Sequence, residues 1–275
     1  MNTITAIEAQ QIAVANESGK QPVLFVHGLW LLASSWNAWK DYFEAEGYAT
    51  VAADWPGDKA TVAETEDALA GLGVQEITDH LAEVARALTI KPILIGHSFG
   101  GLLVQRLADL GLGAATIAID PAPFKGVLPL PASALKASFP VLGNPANRKR
   151  TVTLTFDQFR YGFANVVTED EAHELYTTFH VAAPGRPLFQ AASANLSSGK
   201  ATKVDVKNPA RGPLLVVSGE QDNIVPFAMA NAAYKLQSKN AARTEFREIE
   251  GRGHSLVIDS GWQEVADAAL AFARS

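Results

Sequence analysis

The sequence predicts an α/β protein with a mostly parallel sheet flanked by helices. Short apolar runs of strand length alternate with longer helical patterns, which is typical of βαβ units. The runs are almost continuously apolar, as expected for parallel strands covered on both faces. With 275 residues, 48% of them apolar and 19% charged, the chain can bury a large core. These numbers exclude a disordered chain, and we expect one domain over residues 1–275.

Six segments are candidate strands. Five of them are apolar and lie at 23–26, 49–53, 92–95, 115–119 and 214–217. The sixth, at 244–249, alternates polar and apolar residues and is therefore expected at an edge of the sheet. Helical patterns occupy the intervals between them, at 36–46, 76–88, 100–110, 228–237 and 262–274. Parallel neighbours need such crossover connections.

Residues 121–212 interrupt this alternation. The segment opens with four prolines and continues with helical patterns, without strand-like runs. Thr155 with Gln158, and Thr168 with Glu171, each have the spacing of a capping box, so a short helix is expected after each threonine. Ligands of open α/β sheets bind at the carboxyl ends of the strands. We therefore interpret this segment as a lid inserted over that edge.

Composition excludes several classes of function. The net charge of 23 − 29 = −6, with one short basic run at 148–150, argues against a nucleic acid partner. The absence of cysteine excludes disulfides, thiol nucleophiles and cysteine-ligated metal sites. The N-terminus lacks the pattern of a signal peptide, and no apolar run reaches the ~18 residues of a membrane span. A soluble, cytoplasmic protein that does not bind membranes is expected; the oligomeric state is left open.

The strongest chemical motif is Gly-His-Ser-Phe-Gly at 96–100, between a predicted strand and a predicted helix. This is the context of a nucleophile elbow, in which Ser98 stands on a strained turn. Side chains at Gly96 and Gly100 would collide with the strand and the helix, which explains both glycines. The helix that follows directs its N-terminal amides toward the place where an oxyanion would form. Ser98 is therefore the candidate nucleophile.

A serine nucleophile needs a histidine base and an acid. His254 is the candidate base because it lies in a glycine-rich loop before the last helix. Asp222, just past a late buried strand, is the candidate acid, and Asp120 at the end of another strand is its main rival. Solvated or packing roles suffice for the remaining histidines, which are His27, His80, His97, His173 and His180. His27 is interpreted as a loop residue hydrogen-bonded internally, and His80 as lying at a helix start.

Backbone amides after the first strand complete the predicted site. That strand runs into His27-Gly28, so the N–H of Leu29, together with that of Phe99, is expected to form the oxyanion hole. Such donors are each worth ~10²–10³ in rate.

These motifs, Ser98, Asp222 and His254 with the loop at His27-Gly28, resemble the α/β-hydrolase fold superfamily over essentially the whole chain. The likeness is to its esterase/lipase-like branch with a helical lid. It implies cleavage of a carboxylic ester, a lactone or a related acyl bond by a Ser-His-Asp mechanism, with no metal or organic cofactor. One departure is Asp54-Trp55-Pro56-Gly57-Asp58, where the family often shows Gly-x-Gly-x-Ser.

Alternatives remain on the same scaffold, because fold does not fix the reaction. The same three side chains resemble the sites of hydroxynitrile lyases, cofactor-free haloperoxidases or perhydrolases, and cofactor-independent dioxygenases. A ligand receptor with slow turnover is a further alternative. Dehalogenase chemistry is excluded, because dehalogenases on this fold carry aspartate where Ser98 stands. Aromatic residues suggest a small, apolar ester substrate, although most of them are expected to pack the lid: Trp30, Trp36, Phe124, Phe139, Phe156, Phe159, Tyr161 and Phe163.

Overall fold

The computed structural model describes residues 3–57 and 69–275. Its strands are β1 (Pro22–Val26), β2 (Ala49–Ala53), β3 (Ile93–His97), β4 (Ala115–Ile119), β5 (Thr151–Val152), β6 (Ala183–Pro184), β7 (Leu214–Gly219) and β8 (Thr244–Ile249). Six of these form one sheet in the order β2-β1-β3-β4-β7-β8, and every neighbouring pair is parallel. The predicted α/β class with a parallel sheet is confirmed, and β8 lies at the predicted edge.

Ten α-helices are found in the described residues. They are α1 (Ala6–Ser18), α2 (Asn37–Ala45), α3 (Val74–Ala87), α4 (Phe99–Asp109), α5 (Ala132–Leu142), α6 (Phe156–Gly162), α7 (Glu169–Phe179), α8 (Arg186–Ala192), α9 (Phe227–Gln237) and α10 (Trp262–Ala273). None of the helices in 3–57 and 69–275 is both long and apolar enough to cross a bilayer.

The two faces of the sheet pack into separate apolar clusters. On β1, Val23 and Phe25 belong to the cluster that contains α2 and α10. Leu24 and Val26 alternate with them and belong to the cluster that contains α3 and α4. Every residue of β1 is buried, because helices cover both faces. This double covering explains why the strands read as continuous apolar runs, and it fixes the loops at their carboxyl ends.

The first helix, α1, was not among the predicted elements. A reciprocal capping box between Thr5 and Glu8 begins it. Glu8 is fully buried and its Oε1 lies 2.9 Å from Nε2 of His80. The placement of His80 at a helix start was wrong, since α3 begins at Val74 and His80 lies inside it with 1% of its surface exposed.

Residues 121–212, which the sequence predicts to be an insertion, lie between β4 and β7 and are called the inserted segment below. Both predicted helices are found directly after their capping threonines, as α6 and α7. The expectation that the segment contains no strands was wrong, because β5 and β6 pair in an antiparallel ladder. Each has only two residues, which is too short to show the period-2 pattern that identifies strands.

Candidate active site

Ser98 lies on the turn between β3 and α4 with φ 57° and ψ −120°. A Cβ atom on Gly96 would lie 2.3 Å from the carbonyl oxygen of Gly100, and one on Gly100 would lie 2.0 Å from that of Val26. Both distances are far below van der Waals contact, so the two positions admit no side chain. The steric explanation predicted for the glycines agrees with this geometry.

Hydrogen bonds hold the strained turn in place. The N–H of Ser98 donates to Ile119 O at 2.9 Å, and its carbonyl oxygen accepts from the N–H of Ala122 at 2.9 Å. The end of β4 and the start of the inserted segment therefore fix the serine from two sides. Strained backbone of this kind persists only where the surroundings determine it.

The loop after β1 lies directly against Ser98. A Cβ built on Gly28 would be 2.8 Å from Cβ and 3.3 Å from Oγ of Ser98, so only glycine allows this approach. Leu29 follows Gly28, and both it and Phe99 are buried. Within 3–57 and 69–275, no hydrogen bond is found from the backbone N–H of Leu29 or of Phe99. These are the two amides that the sequence predicts as oxyanion donors.

Trp30 joins this loop to the inserted segment. It has φ 65°, which is uncommon for a bulky residue. Its Nε1–H donates to Val152 O at 2.9 Å, and its carbonyl oxygen accepts from Val181 N at 3.1 Å. The indole is thereby bonded to the end of β5, and the backbone to a residue just before β6. His27, as predicted, bonds within the loop, with Nδ1 2.9 Å from Gly28 O, and it also stacks on Trp55.

Asp222 and His254 form a buried pair at the ends of β7 and β8. Nδ1 of His254 lies 2.6 Å from Oδ2 of Asp222, whereas Oδ2 of Asp120 is 4.0 Å away. The other oxygen of Asp222 accepts from the N–H groups of Ile224 and Val225, at 2.6 and 2.9 Å. These bonds orient the carboxylate, and the closer acid is the one that the sequence favours.

The second ring nitrogen of His254 differs from the first in its hydrogen bonding. Nε2 is buried and has no hydrogen-bond partner among the described residues, so Ser98 Oγ does not contact it at bonding distance. The ring lies 4.5 Å from that of His97 and 4.9 Å from that of Phe163, centroid to centroid. Burial, together with the nearby imidazole of His254, holds the pKa of His97 well below its ordinary value. His97 is therefore neutral and packed, not solvated.

An apolar cavity of about 160 Å³ opens beside Ser98. Its walls come from the loop after β1, the elbow, the inserted segment, the loop after β7 and the start of α9. They carry no charged residue, and the polar side chains besides Ser98 are Ser138 and Asn195. Both make hydrogen bonds to backbone groups, Ser138 with Leu135 O and Asn195 with Gly126 N and Val127 O. The cavity therefore fits an uncharged, apolar group.

Two of the predicted aromatic residues, Trp30 and Phe124, line this cavity. The other six are not in its walls. Trp36 packs on Phe25 on the opposite face of the sheet, and Phe139 is 70% exposed. The expectation that most aromatics serve packing agrees with this arrangement. Asp58, which belongs to the predicted departure at the site mouth, lies outside the described residues.

One set of side chains has metal-ligand character within the described residues. Single ligand atoms of His97, Asp120 and His254 lie within 4.8 Å of one another, and all three residues are buried. The three residues are close because several strand ends converge on the imidazole of His254. Its Nδ1 is already hydrogen-bonded to Asp222. We assign no metal to it.

A model of the alpha/beta hydrolase family matches residues 23–268. The chain belongs to this family. The match runs from β1 into α10 and so includes every element that positions the site. The six-stranded parallel sheet flanked by helices agrees with it.

Solved structures of the same fold are similar over nearly the whole chain. One is an extracellular α/β-hydrolase from a Paenibacillus species, described as sharing structural and functional homology with tobacco salicylic acid binding protein 2. It is 21% identical to this chain, and the alignment covers 91% of this chain and 98% of that one, with a TM-score of 0.65. A monoacylglycerol lipase of Paleococcus ferrophilus is 19% identical over 91% and 94%, with a TM-score of 0.60. A pyrethroid hydrolase from Sphingobium faniae is 17% identical over 93% and 98%, with a TM-score of 0.63. At sequence identities of 17–21%, the similarity to these solved structures shows the fold alone. Membership of the family shows, in general terms, that the protein is a hydrolase.

Some features of the site have no signal in the sequence. Phe163 comes from the inserted segment and lies edge-on to His254, yet nothing distinguishes it from the other aromatics of that segment. The sequence also does not predict the positive φ of Trp30, because bulky residues rarely adopt this conformation. Asp120 does have a signal, because its position at a strand end predicts a rival acid, and its Oδ2 lies 4.0 Å from Nδ1 of His254.

Proposed function

We propose that the protein is a serine hydrolase that cleaves carboxylic esters, or related acyl bonds such as lactones, with an apolar acyl group. The observation that carries the proposal is the uncharged cavity that ends at Ser98 on the elbow. Two further observations support it: the buried residues Leu29 and Phe99 supply backbone amides near this serine, and a buried His–Asp pair lies against His97, the residue before it. This combination supplies a nucleophile, charge stabilisation and a base at one end of an apolar binding site.

The proposed reaction has two acyl-transfer steps. His254 Nε2 takes the proton of Ser98 as Oγ attacks the substrate carbonyl carbon. The N–H groups of Leu29 and Phe99 bind the oxyanion. His254 then protonates the leaving alcohol, and a water molecule activated by His254 hydrolyses the acyl-enzyme. Asp222 accepts the Nδ1–H, which leaves Nε2 as the basic nitrogen in the neutral imidazole.

The mechanism requires Ser98 Oγ and His254 Nε2 to come within hydrogen-bond distance when substrate binds. Catalytic hydrogen bonds are often long without substrate and shorten in the Michaelis complex. The imidazole lies beside His97, the residue that precedes the serine. The imidazole with the free nitrogen therefore packs against the residue next to the cavity serine in the chain.

The decisive experiment compares Ser98→Ala with Ser138→Ala on p-nitrophenyl butyrate. Ser138 lines the same cavity from α5 but lies on no predicted catalytic element, so it is the matched control. We expect Ser98→Ala to lose ~10⁴–10⁶ in kcat, and Ser138→Ala to stay within about threefold of the wild type. A fluorophosphonate should add its mass to the peptide containing Ser98. Undiminished turnover by Ser98→Ala, or labelling elsewhere, contradicts the proposal.

The acyl specificity follows from the cavity. A dry cavity of ~150 Å³ holds benzene, so an acyl group of about four to six carbons fits here. Each added methylene is worth about 0.8 kcal/mol when buried, or roughly fourfold in kcat/KM, until the space is full. Leu188→Ala enlarges one wall and should shift the optimum to longer chains. A preference for a charged acyl group, such as a succinate monoester, would refute the apolar assignment.

A further inference from the structure

A second carboxyl group lies beside the His254–Asp222 pair, and the reaction described above makes no use of it. Asp120 follows β4, is fully buried and has φ 40°. Its N–H donates to Val217 O at 2.9 Å, and its Oδ1 accepts from the N–H of Gly219 at 2.8 Å. Among the described residues its Oδ2 has no hydrogen-bond partner, and it lies 4.0 Å from Nδ1 of His254.

The surroundings of Asp120 favour its neutral form. Burial raises the pKa of Asp120 well above its ordinary value, and the nearby carboxylate of Asp222 raises it further. The N–H of Gly219 acts in the opposite direction but is outweighed. The other titratable groups at this point are His254 and His97, and His97 is neutral. A carboxylic acid next to a carboxylate has an O–H to donate and an acceptor for it.

We propose that Asp120 is a positioning residue, a neutral carboxylic acid whose O–H donates to the carboxylate of Asp222 and holds it against Nδ1 of His254. The inference rests on the proposed function, since it assigns His254 to the reaction. It gives the orphaned Oδ2 a partner. It also leaves a single negative charge between the two carboxyl groups, so only one ionised acid faces the imidazole.

Two other roles for Asp120 make different predictions. An ionised Asp120 would be a second acid acting on His254, and replacing it with an amide would then remove a charge 4.0 Å from Nδ1. A carboxyl group that only fills space would leave turnover unchanged when truncated. Asparagine separates these cases, because its amide keeps an acceptor for Gly219 and a donor for Asp222. Asparagine also tolerates positive φ.

The experiment measures kcat and KM for p-nitrophenyl butyrate with Asp120→Asn, Asp120→Ala and the control Thr116→Val. Thr116 lies near the start of β4, is likewise buried and has no hydroxyl partner among the described residues, but it is remote from the site. We expect Asp120→Asn and Thr116→Val within about threefold of wild type. Asp120→Ala should lose about tenfold or more in kcat with KM nearly unchanged. A loss in Asp120→Asn of ~10³ or more, or full kcat in Asp120→Ala, overturns the proposal.

The pH profile of kcat/KM supplies a readout that a merely structural role does not move. If Asp120 is neutral, its replacement by asparagine leaves the acid limb within about 0.3 pH units of wild type. If Asp120 is ionised, loss of that charge moves the acid limb to lower pH by about one unit or more. The second result overturns the proposal.

A third measurement needs no activity and so separates failure of this inference from failure of the proposed function. An unfolded aspartate loses its proton near pH ~3.9, whereas Asp120 in the folded protein keeps it to higher pH. Wild-type stability should therefore fall relative to Asp120→Asn as pH rises from about 5 to about 8. The Tm advantage of Asp120→Asn should grow over that range. A difference in Tm that does not depend on pH overturns the neutral carboxyl even if the protein hydrolyses no ester.

Discussion

Two buried histidines of this protein each pair with a buried carboxylate, in different parts of the molecule. His254 holds Asp222 at 2.6 Å at the carboxyl ends of the strands. His80 holds Glu8 at 2.9 Å, where α3 packs against α1. Each histidine is at most 1% exposed, so burial does not distinguish them. By distance and burial alone, both pairs resemble the acid–base half of a catalytic triad.

The second ring nitrogen separates the two pairs. Nδ1 of His80 lies 2.7 Å from Thr3 Oγ1, so both of its nitrogens are used. Nε2 of His254 has no partner in the described part of the chain, and the ring of His254 lies against that of His97, the residue before the elbow serine. A satisfied imidazole stabilises a fold, whereas one with a free basic nitrogen can accept a proton. Between these two pairs, the unpaired ring nitrogen, and not the contact with the acid, distinguishes the candidate site.

Removing the acid of each pair gives the largest expected contrast. Asp222→Asn should lower kcat by about 10⁴, because the amide no longer selects the tautomer with a basic Nε2. Glu8→Gln should leave kcat within about threefold, since His80 takes no part in the reaction. Steady-state kinetics on one ester measure both. Equal losses in the two variants, or a normal kcat in Asp222→Asn, would erase the distinction between the pairs.

Features of this protein whose requirements are local in the sequence could be predicted from it. The elbow was predictable because its requirements are local: glycines at 96 and 100, a strand before and a helix after. The buried strands and the helices capped by Thr155 and Thr168 were predictable for the same reason. Asp222 and His254 followed from chain order and from their positions after late strands.

Features that depend on distant partners were not predictable. Glu8 and His80 are 72 residues apart, and neither position suggests the other. The helix α1 had a readable signal in Thr5 and Glu8, but Ile7 and Val14 lie on its exposed side and blur the apolar face. The proximity of Asp120 to His254 needs coordinates, because it depends on the register of β4, β7 and β8 in the sheet.

Breaking the structural pair should cost stability and not activity. Glu8→Ala leaves His80 buried without its acid, and loss of one partner from such a pair costs about 3–5 kcal/mol in unfolding free energy. Glu17→Ala, on the exposed side of the same helix, is the control and should change it by less than about 0.5 kcal/mol. Urea denaturation measures both. A loss in Glu8→Ala no larger than the control would show that the pair contributes nothing.

The difference in unfolding free energy between the wild type and Glu8→Ala should depend on pH in a definite direction. Burial raises the pKa of Glu8, but hydrogen bonds from His80 and Thr5 outweigh it and the net pKa lies below its ordinary value. The unfolded carboxylate therefore binds protons first, near pH ~4.3. The stabilisation is complete above that pH and is lost as pH falls through the lower folded value. The gap between wild type and Glu8→Ala should be widest near neutrality and should shrink in acid.

The smallest expected effect comes from making His80 resemble His254. Thr3→Val keeps the side-chain shape but removes the hydroxyl that contacts Nδ1 of His80. Because Thr3 is exposed, water can replace the lost bond, so the unfolding free energy should fall by only about 0.5–1 kcal/mol. Thr177→Val, which removes a hydroxyl bonded to carbonyls of its own helix, is the control. Neither variant should change kcat, because a free imidazole nitrogen needs a nucleophile and a substrate cavity beside it; a drop in kcat confined to Thr3→Val would show that the two pairs are coupled.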